Sequence, residues 1–103
     1  MAEPERPERV EALRKRQALG SLIESFEGRV PPADAPSFLG LWRVGEYELS
    51  LNVLLAVLLT NHVAISNASY ERICELWDQI DVAGFMEEEY IDPRSPEFRT
   101  LIA

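Results

Sequence analysis

The stretch Tyr47 to Thr60 constrains this chain more than any other. Tyr47, Leu51, Leu54, Leu55, Leu58 and Leu59 recur at helical spacing and make one broad apolar face. Val53, Ala56 and Val57 extend that character around most of the circumference, with Glu48, Asn52 and Thr60 as the polar exceptions. A helix that is apolar nearly all round must be covered on most sides. A helix from about Glu46 to Asn61 is therefore expected at the centre of the fold. Its longest apolar run, Val53 to Leu59, is far shorter than the ~20 residues needed to cross a bilayer.

The flanking sequence supplies more helices. Residues 1–7 are polar with two prolines and are expected to be a flexible N-terminus. From Glu8, Val10 and Leu13, then Leu19, Leu22, Ile23 and Phe26, follow one helix face, with Gly20 a weak point inside it. Gly28 and Pro31-Pro32 stop that helix. Asp34 is the expected N-cap of a short helix carrying Phe38, Leu41 and Trp42, which Gly45 ends.

After Asn61-His62 and an extended link, Ser66 is the expected N-cap of a fourth helix, with Ile65 stapled against Tyr70. Tyr70, Ile73, Cys74, Trp77 and Ile80 form its apolar stripe, and Glu71, Arg72, Glu75, Asp78 and Asp81 face the other way. Pro93 and Pro96 forbid a long helix through the last segment. The expected fold is all-α: a small bundle of about four helices over residues 8–84, with a central Leu-rich helix. An irregular acidic tail, 85–103, packs on or near it.

A length of 103 residues fits one domain, and 47% hydrophobic with 27% charged residues is the composition of a folded chain. The net charge of -8 is unevenly placed. Residues 1–18 sum to +1, residues 19–44 to -1, and residues 45–103, with eleven acids against Arg72, Arg94 and Arg99, to -8. The C-terminal half repels phosphate backbones and anionic lipid, so direct nucleic-acid or membrane binding is not expected. It attracts a basic protein, of which a nuclease is the commonest kind. A merely solvated acidic surface explains the same charge.

Chemistry is sparse. His62 is the only histidine and sits where a helix ends, a position that suits a cap better than a metal ligand or general base. Cys74 is the only cysteine, falls on the apolar stripe, and allows no intramolecular disulfide. No phosphate loop, CxxC pair or zinc-protease motif occurs. No enzymatic activity, cofactor or metal is expected. With no apolar signal core at the N-terminus, a cytoplasmic location is expected.

Gly45-Glu46-Tyr47, Leu49, Leu51, Leu54, Leu58, Val63, Ile65-Ser66, Tyr70 and Ile73 form a pattern that resembles the core of the MafI-type immunity proteins, small cytoplasmic partners of polymorphic bacterial toxins. Gly28-Arg29-Val30-Pro31 and the short helix fit the same layout, so the resemblance covers about residues 9–80. It implies an immunity protein that neutralises a cognate toxin domain by stoichiometric occlusion. The expected contacts are Glu46, Glu48, Glu71, Glu75, Asp78, Glu87, Glu88, Glu89 and Tyr90, with Trp42 a weaker candidate. Where such proteins carry polar residues on the exposed side of the Leu-rich helix, this chain has Asn52, Val53, Ala56, Thr60, Asn61 and His62. That side needs cover from the tail, a second copy in a homodimer, or the toxin. The alternative reading is a non-catalytic helical adaptor or scaffold that self-associates or regulates a partner.

Overall fold

A computed structural model of the chain describes residues 7–79 and 91–103. Among the described residues, five helices follow in order: α1 Pro7–Glu27, α2 Ala35–Arg43, α3 Tyr47–Thr60, α4 Asn67–Asp78 and α5 Pro96–Arg99. Helix α1 touches α2, α3 and α4, and α3 lies most extensively against α2. The expected Leu-rich helix supplies Leu51, Leu54, Leu55 and Leu58 to the core, all essentially without solvent exposure. Burying each such side chain contributes about 1.5–3 kcal/mol. Leu19, Leu22, Ile23 and Phe26 of α1 and Phe38 of α2 complete the same cluster.

Two helix ends are closed by the same backbone device. At the end of α2, Gly45 takes φ +84°, its N–H donates to the Trp42 carbonyl, and the Glu46 N–H donates back to Leu41. At the end of α3, His62 takes φ +50°, donates from its N–H to Leu59, and Val63 donates to Leu58 at 3.0 Å. This pair of bonds satisfies carbonyls that the helix leaves without partners. His62 is thus a helix terminator through its backbone, with its side chain exposed.

The start of α2 departs from expectation. Asp34 occupies the N-cap position but makes no side-chain cap bond. Its backbone is already in the helical region, with its N–H bonded to Pro31 O at 2.9 Å, so the carboxylate is not folded over the helix start. That carboxylate instead accepts a bond from the Asn61 amide at 3.2 Å, tying the start of α2 to the end of α3. Ser66 does cap α4: its backbone is extended and its hydroxyl oxygen accepts from the Ser69 N–H at 3.1 Å.

Gly20 has a packing reason. A Cβ there would lie 3.0 Å from Trp42 Cζ2, so the missing side chain lets the indole rest on α1. The indole N–H donates to Arg16 O at 3.2 Å, and the Arg16 guanidinium lies 5.3 Å from the ring centroid. Ser50, the buried polar residue of α3, donates from its hydroxyl to Phe38 O at 2.7 Å and fixes the α2–α3 crossing.

The C-terminal segment belongs to the core. Pro93, Phe98 and Leu101 are buried, and Ser95 caps α5, whose first residue is Pro96. Ile65 and Ile102 form a parallel bridge: Ile65 N–H donates to Leu101 O and Ala103 N–H to Ile65 O, each at 2.8 Å. The segment contains one helical turn and a short pairing where irregular chain was expected.

Candidate protein-binding surface

Helix α4 is amphipathic, and its buried side fixes the direction of its polar side. Ile73 and Leu76 are buried, with Tyr70, Cys74 and Trp77 half-buried beside them. Leu76 takes the buried place that the expected stripe gave to Cys74 and Trp77. The centre of the apolar face therefore lies between Ile73 and Leu76, whose three-residue spacing is the signal that identifies it. Cys74 is half-exposed and not a fully buried small hydrophobe.

Glu71, Arg72, Glu75 and Asp78 are all exposed on the opposite side. Glu71 and Glu75 are one helical turn apart on that side, which puts two carboxylates on one face. Glu75, Arg72, Leu76 and Gln79 also line a shallow groove of about 300 Å³ with Ala18 and Ser21 of α1. Glu71 and Glu75 thus stand on a helix that packs against α1, with the Arg72 guanidinium beside them.

Asp78 differs from its neighbours. Both of its carboxylate oxygens accept from the Arg94 guanidinium, at 2.8 and 2.7 Å. Arg94 holds the Asp78 carboxyl below the ordinary carboxylate range, chiefly through these bonds and against a smaller opposing effect of burial. Arg94 is in turn raised by the same bonds. Asp78 is therefore already engaged within the chain, and a partner would have to compete for it. Arg94 enters the sequence reading only as a positive charge, because nothing local links residues sixteen apart.

The other expected contacts are distributed. Glu46 is exposed at the N-cap position of α3 and makes no side-chain cap bond. Glu48 is half-buried in the first turn of α3, where a carboxylate complements the helix dipole. These two belong to the α2–α3 corner, and among the described residues Glu71, Glu75 and Asp78 share a face. Glu87, Glu88, Glu89 and Tyr90 lie outside the described residues.

The unusually apolar side of α3 finds part of its cover in the C-terminal segment. Asn52 Oδ1 accepts from the Ile91 N–H at 2.9 Å, and Ile91 packs against the core. Val53, Ala56 and Val57 remain half-buried. Tyr70 adds a second tie: its ring lies 6.5 Å from that of Phe98 and nearly parallel to it. Burial, and then a hydrogen bond with Cys74, raise the Tyr70 hydroxyl above its ordinary pKa.

Among the described residues, no group of three His, Cys, Asp or Glu side chains is placed to hold a metal ion. No described helix is long and apolar enough to cross a membrane. The chain matches no protein-family profile, no curated protein and no solved structure.

Proposed function

We propose that this chain is a stoichiometric inhibitor of a basic protein, acting as the immunity proteins it resembles act on toxin domains. It docks its acidic face on the partner and blocks access to the partner's substrate, performing no chemistry itself. A toxin nuclease in the bacterial cytoplasm is the partner that best fits the charge. The observation that carries the reading is the exposed pair Glu71 and Glu75 on the anchored helix α4. It is reinforced by the net -8 of residues 45–103. Carboxylates held on a rigid element lose little freedom on binding a cationic surface, which favours both rate and specificity.

Glu46 and Glu48 extend the proposed contact to the α2–α3 corner, and Glu87, Glu88, Glu89 and Tyr90 extend it along the chain. Asp78 contributes only where the partner's cation displaces Arg94. The direct test is co-expression with the C-terminal domain of a large secreted protein encoded beside this chain's gene. Protection of the cells and co-purification as a 1:1 complex are the expected results. Loss of both with Glu71→Lys and Glu75→Lys together locates the contact. Survival that does not depend on this chain, with no complex formed, contradicts the proposal.

A further inference from the structure

Helix α4 ends on a carboxylate in a place that asks for a cation. Asp78 is the last residue of α4, at the negative end of the helix dipole, and no basic residue stands in the last turn to offset it. Glu75, three residues earlier, is exposed on the same face and adds a second negative charge. Arg94 fills the place from outside the helix, with Nη1 2.8 Å from Oδ1 and Nη2 2.7 Å from Oδ2. This is the parallel, two-point grip that a guanidinium makes on a carboxylate and an ammonium cannot.

The grip is open to exchange. The Arg94 and Asp78 side chains are 48% and 59% exposed, so a second guanidinium reaches the carboxylate from solvent, and an exposed pair of this kind holds with little net free energy. The backbone on either side of Arg94 is fastened without it. The Ile91 N–H donates to Asn52 at 2.9 Å, Phe98 is buried in the core, and Leu101 and Ala103 pair with Ile65. Release is therefore a swing of one side chain and not an unfolding of the segment.

We propose that Arg94 is an internal competitor for a partner's arginine, occupying on Asp78 the place that the partner's guanidinium takes in the complex. The inference rests on the proposed docking of a basic partner through the α4 face, and adds to it the side chain recognised and a brake on its binding. Arg72 bears on where that arginine lands. It is exposed beside Glu71 and Glu75 but stands six residues, about 9 Å of helix rise, from Asp78. An incoming cation is thus repelled less by Arg72 at Asp78 than at the other two acids. While Arg94 is seated, apparent affinity is reduced by the fraction of molecules in which Asp78 is open.

Titration of the full chain at low salt with a hexa-arginine peptide, and in parallel with a hexa-lysine peptide, tests this. Arg94→Lys keeps the charge and loses the two-point grip, whereas Arg94→Gln loses both. Both variants are expected to keep the helical circular dichroism spectrum and to bind hexa-arginine more tightly than the parent, by about two- to fivefold for Arg94→Gln. The gain is expected to be smaller for hexa-lysine. It is also expected to be smaller in Arg99→Gln, which removes the same charge from another exposed arginine, and absent when Asp78→Asn is added to Arg94→Gln. No gain in either Arg94 variant, an equal gain in Arg99→Gln or with hexa-lysine, or a gain that survives Asp78→Asn overturns the proposal. The peptides keep the two proposals separable. Exchange on the peptide with no protection of cells contradicts the docking of a toxin, and protection with no gain in Arg94→Gln contradicts the competitor.

Discussion

Arg94 grips both carboxylate oxygens of Asp78, at 2.8 and 2.7 Å, and so joins the end of α4 to the C-terminal segment. The pair is largely in solvent, with side-chain exposures of 48% and 59%, so it sets geometry more than stability. Its consequence is to engage one acid of the α4 face, while Glu71 and Glu75 make no ion pair among the described residues.

The first prediction concerns pH. A carboxyl with a depressed folded-state pKa stabilises the fold above the ordinary carboxylate range, and that contribution disappears as pH falls through the depressed value. In a carboxyl-detected titration Asp78 is expected to protonate below ordinary aspartates, and to move back toward them in Arg94→Gln. An Asp78 titration unchanged by Arg94→Gln would show that the grip does not persist in solution.

The C-terminal segment provides the second. Phe98 is fully buried and faces Tyr70, so Phe98→Ala is expected to cost about 3–5 kcal/mol in urea unfolding. That is a large part of the 5–15 kcal/mol typical of a whole domain. A loss under about 1 kcal/mol would mean that residues 91–103 are not seated in the core.

Both results turn on contacts that local sequence does not encode, and this marks the limit of what was legible. The Leu-rich helix, its buried register, the Ser66 cap and the turn at Gly45 follow from spacing and backbone chemistry within a few residues. Asp34 misled because residue type alone does not show that Pro31 draws its backbone into the helical region. The acid spacing of α4 was readable, but which acids are free was not, because Arg94 arrives from sixteen residues away. Phe98 and Leu101 were visible as apolar residues, but their place in the core comes from distant contacts, with Tyr70 for Phe98 and with Ile65 for Leu101.

A third prediction sets the two helix terminators against each other. Gly45 at φ +84° tolerates no Cβ cheaply, so Gly45→Ala is expected to destabilise by about 1 kcal/mol. His62 holds a similar conformation with a side chain, so His62→Gly is expected to be neutral or to stabilise by up to about 1 kcal/mol. Thermal melts of the two variants should shift in opposite directions or leave His62→Gly unmoved. A clear loss in His62→Gly would give the imidazole a structural role beyond its backbone.

Glu71 and Glu75 are exposed and make no contribution to the core, so Glu71→Lys with Glu75→Lys is expected to leave thermal stability within about 0.5 kcal/mol of the parent. That variant is then a clean probe of binding. A strong destabilisation would assign these acids to the fold.

The central claim is docking on a basic partner through the acidic face. Its most direct measurement is the association rate with the cognate toxin domain as ionic strength is varied, for the parent chain and for the Glu71→Lys, Glu75→Lys variant. The rate for the parent is expected to fall on the order of tenfold or more between low and high salt, and the variant is expected to start slow and vary little. Equal rates for the two proteins, insensitive to salt, would contradict the account.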